Sequence, residues 1–515
     1  MNIKIELNEQ FQNALDLMEN TRKNIFITGK AGVGKSTLLN YFRERTKKEI
    51  AVLAPTGVSA LNIQGETIHS FFGFKPDITS DKIKKLSERK SKIYKKIDSI
   101  VIDEISMVRA DLLDYIDIFL RKNTGKQMAF GGIQMIFIGD LYQLPPVVKG
   151  IERDIFKTLY PSPYFFDSNI FKRIEIEFIE LEKIYRQKDE RFINILNAIR
   201  NNTIKEEQIS ELNRRVGAKI KDENYLVYLT PLNKEAKRIN DEKLLSLNKE
   251  IKIFSARVEG NFDANSYPCD EELKVCEGCQ IMFLNNDSQG RWVNGTLGIV
   301  KGFDFDEDTQ EESIIVEKED KEIVEVLPYS WEIFHYKFDE KNQKLTTQTV
   351  GIFRQHPLKL AWAVTIHKSQ GKTYKNVSID LKNGIFAPGQ TYVALSRCIS
   401  LDGISLKVPV KKSHILTDWR IVKFLTELQY KISEKEIPIN KKEEIIEKAI
   451  EKGEKIEIVY LKKKDEKSAR LIKPLSIEEC EYKGYAFRGL RAYCYERKEE
   501  RVFRLERILK LKSPI

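Results

Sequence analysis

Cysteine is scarce in this chain, with six in 515 residues. That excludes a disulfide-stapled framework and points to a reducing compartment. No run of 18 apolar residues occurs, so no membrane-spanning helix is expected. The opening Met1-Asn2-Ile3-Lys4-Ile5-Glu6 lacks the apolar stretch of a secretory leader. No internal repeat or low-complexity tract stands out. Cys276-Glu277-Gly278-Cys279, with Cys269 upstream, has zinc-like spacing. No fourth Cys or His lies nearby, and the segment runs into the apolar Gln280-Ile281-Met282-Phe283-Leu284, so ordinary thiols are expected there.

What is present bounds the class. A chain this long has room for three or four domains, and 41% hydrophobic residues suffice for their cores. The 87 basic residues against 77 acidic ones leave a net charge of +10. That balance fits nucleic-acid binding but is also common among plain cytosolic proteins.

Gly29-Lys30-Ala31-Gly32-Val33-Gly34-Lys35-Ser36 spells a phosphate-binding loop. The apolar Ile25-Phe26-Ile27 before it reads as a buried strand, and Thr37 to Phe42 after it as a helix. Small residues let backbone N–H groups crowd a polyphosphate at the helix N-terminus. Lys35 would neutralise the β- and γ-phosphates, and Ser36 would ligate Mg²⁺. The expected ATP-binding set is Gly29, Ala31, Gly32, Val33, Gly34, Lys35, Ser36 and Thr37. Further apolar runs at 50–54, 99–103 and 134–140 alternate with helical stretches, which implies a parallel sheet in an α/β domain over residues 1–175.

Asp103-Glu104 closes the strand Ile100-Val101-Ile102. An aspartate there can hold Mg²⁺ through water, and the adjacent glutamate can orient or deprotonate the attacking water. Asp103 is therefore paired with Ser36 as the metal set. Gln143, in Gly139-Asp140-Leu141-Tyr142-Gln143-Leu144-Pro145-Pro146, is placed to sense the γ-phosphate. Arg186, in Ile184-Tyr185-Arg186-Gln187, and Arg397, in Tyr392-Val393-Ala394-Leu395-Ser396-Arg397, would each bring a guanidinium to the charge that develops in phosphoryl transfer.

Donor-rich turns suggest where a nucleic-acid strand runs. His367, Lys368 and Ser369 follow the apolar Ala361 to Ile366, and suit backbone phosphates or base stacking. Thr56 and Gly57 in Ala54-Pro55-Thr56-Gly57, and His69 and Phe72 in Thr67-Ile68-His69-Ser70-Phe71-Phe72, repeat the logic. One of Phe71 and Phe72 is expected in the core, with Phe72 taken as the stacking ring.

This ordered series resembles the motifs of superfamily 1 DNA helicases. Asp111–Gly132, with Arg121 and Phe130-Gly131-Gly132, resembles the signature of the Pif-one family of the 5′→3′ branch. The resemblance covers about residues 7–430. It implies two RecA-like domains clamping ATP, with single-stranded DNA crossing both, and a small Src-homology-like β-barrel. The barrel would be the inserted run of short strands at 293–350, dividing a second RecA-like domain at 176–292 and 351–432. The resemblance also implies that Gln10 contacts the adenine, that Arg186 and Arg397 are arginine fingers, and that the polarity is 5′→3′.

Residues 441–515 follow a charged linker near 433–442 and carry 21 Lys and Arg against 15 Asp and Glu, a net of +6. Ile456 to Tyr460 and Arg501-Val502-Phe503-Arg504-Leu505-Glu506-Arg507-Ile508 resemble a WYL domain, a small Sm-like β module. Arg488-Gly489-Leu490 stands where that family's naming tripeptide would, which departs from its pattern.

The expected protein is thus α/β: two RecA-like domains with parallel sheets, an inserted β-barrel and a β-rich C-terminal module. The expected activity is ATP- and Mg²⁺-dependent unwinding of tailed or forked duplex DNA by a monomeric motor tracking a single strand. The tail would add a contact to single-stranded DNA or to a regulatory partner. A cytoplasmic, nucleoid-associated place is expected, as are DNA repair and genome-maintenance roles, telomeres included. Two alternatives remain: a RecD-like helicase subunit, against which the Phe-Gly-Gly segment argues, and a nucleotide-regulated DNA-binding protein that does not translocate.

Overall fold

The computed structural model describes residues 8–75, 78–148, 156, 158–220, 224–307, 310–339, 344–382, 384–482 and 484–512. The chain divides into two compact units, Met1–Asn197 with Lys205–Leu416, and Ala198–Ile204 with Thr417–Ile515.

The first unit holds two parallel sheets. Six strands make the first, in the order Glu66–Thr67, Ile50–Ala54, Ser99–Ile102, Gln134–Ile138, Asn24–Gly29 and Ile176–Leu181. Its central strands are apolar on both faces because helices cover both. Ile25, Ile27, Val101, Ile136 and Ile138 pack against Leu38, Leu39 and Phe42 of the helix Lys35–Arg45. The last strand corrects the boundary expected at 175. Ile176–Leu181 pairs in parallel with Asn24–Gly29, from Asn24↔Ile176 to Gly29↔Leu181. As an edge strand it is only partly buried, so it lacks the continuous apolar run that marks its neighbours. The second sheet is Ala363–Thr365, Val227–Thr230, Val377–Ile379 and Ile404–Leu406, all parallel.

The β-rich insertion is larger than the expected 293–350. Its strands begin at Lys252–Ser255 and end at Leu358–Leu360. Five antiparallel strands run in the order Ile323–Val326, Glu311–Lys318, Leu297–Asp306, Gln280–Phe283 and Leu358–Leu360. A second sheet joins Tyr329–Asp339, Lys344–Gln355 and Arg257–Gly260. Gln280–Phe283 is buried throughout, so its sequence reads like a strand of an α/β sheet. Cys276 and Cys279 are free thiols buried in this core. The long hairpin is pinned to the edge of the first sheet. His335 Nδ1 lies 2.7 Å from Glu66 Oε1, and the Tyr336 hydroxyl accepts the Val52 N–H at 3.1 Å.

The C-terminal unit pairs two helices with a five-stranded antiparallel sheet. The sheet order is Glu499–Arg504, Tyr485–Cys494, Glu466–Tyr482, Ile456–Lys462 and Ile508–Lys512. Ile446 and Ala449 of the helix Ile439–Lys452 close its core against Ile458, Leu490 and Phe503. Two expectations are corrected here. The helix Trp419–Glu436 belongs to this unit and not to the second parallel-sheet domain. The charged stretch at 433–442 is no linker, because Pro438 merely separates two packed helices. Ser433 Oγ lies 3.0 Å from the Leu509 carbonyl and accepts Lys442 Nζ at 2.8 Å.

Candidate nucleotide site and strand-contact surface

The phosphate loop sits between the strand Asn24–Gly29 and the helix Lys35–Arg45. Gly34 occupies the N-cap with φ 88° and supplies no side chain to cap the helix. Gly32, φ 81°, lies so close to the neighbouring chain that a Cβ on it would come within 2.5 Å of Arg186 Cβ. The loop is held in shape by Lys35 Nζ, which donates to the Gly29 and Lys30 carbonyls at 2.8 and 3.1 Å. The Gly32 carbonyl accepts the Tyr185 N–H at 2.9 Å.

A cavity of about 690 Å³ opens above this loop. Ala31 to Thr37 line one wall, Glu104 and Gln143 another, and Arg186, Thr373 and Arg397 the far side. The two parallel-sheet domains therefore face each other across it. Gly389, φ 78°, makes the approach possible, since a Cβ there would come within 2.4 Å of the Tyr142 carbonyl oxygen.

Asp103 is buried and Glu104 half-buried, and both lie close to cations. Burial raises the Asp103 carboxyl above its ordinary value, against a hydrogen bond from the Glu104 N–H and the Lys35 charge. Burial raises Glu104 as well, then the charge of Asp103; Lys35 and Arg397 oppose it. Glu104 takes a left-handed conformation, φ 50°, and accepts Gln370 Nε2 at 3.1 Å. Arg186 donates to the Ser396 and Gly371 carbonyls at 3.3 and 3.2 Å. Burial and then Arg397 lower its pKa to about 9. Arg397 is 1% exposed and donates to the Val393 and Lys372 carbonyls at 2.9 and 3.2 Å. Gln143 Nε2 donates to Asp140 Oδ2 at 3.3 Å.

Gln10 is paired twice with Glu182 and is not among the residues lining the cavity; Phe11, next to it, is. Sequence reasoning also missed Thr373 and the bond from the Ala31 N–H to the Tyr392 hydroxyl, 3.0 Å. Phe11 carried a readable signal, standing one residue beyond Gln10 on an amphipathic helix; Tyr392 carried none beyond its place in a motif.

The strand-contact residues divide. Thr56 caps the helix Gly57–Asn62, its hydroxyl accepting the Ser59 N–H at 3.2 Å. Gly57 backs onto Ser266 of the insertion. His69 is half-buried, and burial and Arg109 hold its imidazole below the ordinary value. Lys368 is exposed. His367 lies parallel to Phe386, 5.9 Å between ring centroids, and Phe386 is 60% exposed. Two expectations fail on burial. Phe72 is 4% exposed inside a cluster with Phe74, Tyr94 and Phe119, and Phe71 is core as well. Ser369 is 0% exposed; its hydroxyl donates to the Ile366 carbonyl, closing the turn below Lys368. The exposed Phe386, outside every motif read from the sequence, offers the free ring face that Phe72 lacks.

The signature segment is structural. Asp117 accepts the Phe130 N–H at 2.7 Å and pairs with Arg121, holding Phe130 at φ 52°.

Comparison with known proteins places this architecture. Residues 4–210 match the model for PIF1-like helicase, and residues 443–513 the WYL domain model. The ATP-dependent DNA helicase Pif1 of Bdellovibrio bacteriovorus is 31% identical over 437 residues, covering 83% of this chain and 93% of its own length. The chain belongs to the PIF1-like helicase family. Two solved structures of Bacteroides Pif1 carry the likeness into three dimensions, each covering 83% of this chain and 98% of the other. The complex with ADP-AlF4 is 35% identical with a TM-score of 0.75; the complex with single-stranded DNA is 37% identical with 0.61. The unliganded Bacteroides Pif1 is as similar to this PIF1-like chain as the ADP-AlF4 complex is, 36% identical with a TM-score of 0.74. Among the described residues no group of three or more potential metal ligands occurs, and no helix is long and apolar enough to cross a membrane.

Proposed function

We infer that this chain is an ATP-dependent DNA helicase that tracks along single-stranded DNA, 5′→3′, and parts the duplex ahead of it. The observation that carries the reading is the cavity itself. One domain contributes the phosphate loop and Glu104, with Asp103 next to it in sequence; the facing domain contributes Arg397, and Arg186, just beyond the first sheet's edge strand, reaches that domain's Ser396 carbonyl. A terminal phosphate lying between them is stabilised only while the domains are together, so hydrolysis is tied to domain movement. The relatives named above are ATP-dependent DNA helicases or were solved with ADP-AlF4 and with single-stranded DNA.

The cradle fits a polyphosphate: its glycines leave no room for a Cβ at Gly32, and an uncapped helix start points at it. Ser36 and Asp103 supply the hard oxygen donors that Mg²⁺ takes, and the ion would neutralise phosphate charge there. Lys35 binds the phosphates, Glu104 accepts the proton of the attacking water, and Arg186 and Arg397 stabilise the charge that develops. Tyr185, 41% exposed at the cavity wall, offers a ring face to the base. Thr56, Gly57, His69, His367 and Lys368 touch the strand, with Phe386 replacing Phe72 as the stacking ring. The motor works as a monomer on tailed or forked DNA, in the compartment that holds the chromosome. The WYL unit adds a contact to single-stranded DNA or a regulatory partner.

Arg397→Ala tests the division of labour. Nucleotide affinity should stay within about tenfold, while strand-stimulated ATP turnover falls by about 10³-fold, because an arginine finger acts on the transition state. Turnover near wild type would reduce Arg397 to a structural residue.

A further inference from the structure

We propose that Lys359, Lys368 and Lys372 form a phosphate-binding site for the DNA backbone, beneath the seam between the first parallel-sheet domain and the β-rich insertion. The assignment rests on the reading of this chain as a motor that tracks a single strand. Lys359 stands on Leu358–Leu360, directly across from Met282. Lys372 reaches the same place from the loop after Ala363–Thr365. Its Nζ lies 3.2 Å from Met282 Sδ and 2.9 Å from Asn294 Oδ1. Asn294 in turn donates to Asn62 Oδ1 at 2.8 Å, at the end of the helix that Thr56 begins. The site thus adjoins the far end of the helix that Thr56 caps, and Lys368 lies near enough to act on the Lys359 charge.

Its charge is unbalanced. Lys359 feels the ammonium groups of both Lys368 and Lys372, and the acid facing it is Asp270, with the Cys269 thiol beside it. An amide oxygen and a thioether do not neutralise Lys372, and burial, then the Lys359 charge, pushes its pKa well down unless an anion joins it. Half-buried ammonium groups collected in this way are costly unless an anion joins them. A phosphodiester supplies that anion. Burial, then Lys368, lowers the Lys359 pKa to about 8, so its charge is lost between pH 7 and pH 9. Strand binding through it should weaken over that range.

The test is fluorescence anisotropy with a labelled oligo-dT and the full chain, at several chloride concentrations. Lys359→Gln and Lys372→Gln should each weaken binding and flatten the slope of log affinity against log salt by about 0.7, one phosphate contact on a single strand. Thermal unfolding checks that each variant is folded. Lys359→Arg should bind like wild type at pH 7 and lose the weakening at pH 9, since a guanidinium stays charged. Inorganic phosphate should compete no better than chloride at equal ionic strength; selective displacement by phosphate would mark a small-anion site and overturn the assignment to the strand. Unchanged affinity and slope in both Gln variants, beside a wild type that binds, would overturn the proposal alone. A wild type that binds no single strand would overturn the motor reading beneath it.

Discussion

The phenol oxygen of Tyr392, on the second parallel-sheet domain, accepts the amide N–H of Ala31 in the phosphate loop of the first at 3.0 Å. That one amide cannot serve both this oxygen and a phosphate oxygen.

Tyr392→Phe should therefore tighten nucleotide binding. One neutral hydrogen bond is worth about 1 kcal/mol net, so the dissociation constant for ATP should fall by up to about fivefold. A titration with a fluorescent ATP analogue reads it. Weaker binding in a folded variant would mean that the phenol helps to hold the nucleotide instead.

Glu104 sets the pH dependence. Burial and the neighbouring Asp103 push its carboxyl from 4.5 up to about 7. A base works only when deprotonated, so strand-stimulated ATP hydrolysis should rise with pH through the neutral range and then level off. Glu104→Gln should lose most hydrolysis and retain bound ATP, which a nucleotide-release measurement shows. A wild-type profile already flat from pH 5 upward would place the base elsewhere.

The boundary of the C-terminal unit is testable by dissection. A fragment of residues 417–515 should fold cooperatively, because it keeps the helix Trp419–Glu436, whose Gln429 donates to Asp465 Oδ1 at 2.5 Å and whose Ser433 reaches the Leu509 carbonyl. A fragment of residues 441–515 loses those partners and leaves Lys442, 1% exposed in the intact unit, without Ser433. It should melt lower or not cooperatively. Circular dichroism during heating compares them, and equal melting would return the helix to the motor domain.

These outcomes bear on how much of the molecule could be read in advance. The nucleotide site was legible because its chemistry depends on short contiguous spellings: the loop from Gly29 to Ser36, the Asp103-Glu104 strand end and the two arginine motifs all line or border one cavity. The strand track was legible only in part. Phe72 and Ser369 carry side chains that suit DNA, but whether a ring or hydroxyl faces solvent is decided by packing with residues distant in sequence, here Tyr94 and Phe119 for Phe72. Domain boundaries failed where burial departs from type. Ile176–Leu181 is a half-exposed edge in a buried sheet, and Gln280–Phe283 is a fully buried strand in an antiparallel one. The pinning of Lys372 to Asn294 joins residues 78 positions apart, and no local pattern announces such a pair.

Strand displacement shows whether the domain-spanning cavity drives movement along DNA. Duplexes with a 5′ single-stranded tail and with a 3′ tail are mixed with the protein and ATP, and release of the labelled strand is followed. Displacement of the 5′-tailed duplex, little of the 3′-tailed one, and none with Lys35→Ala is the predicted result. Strand-stimulated ATP hydrolysis with no displacement of either duplex would contradict the account and leave a nucleotide-regulated DNA-binding protein in its place.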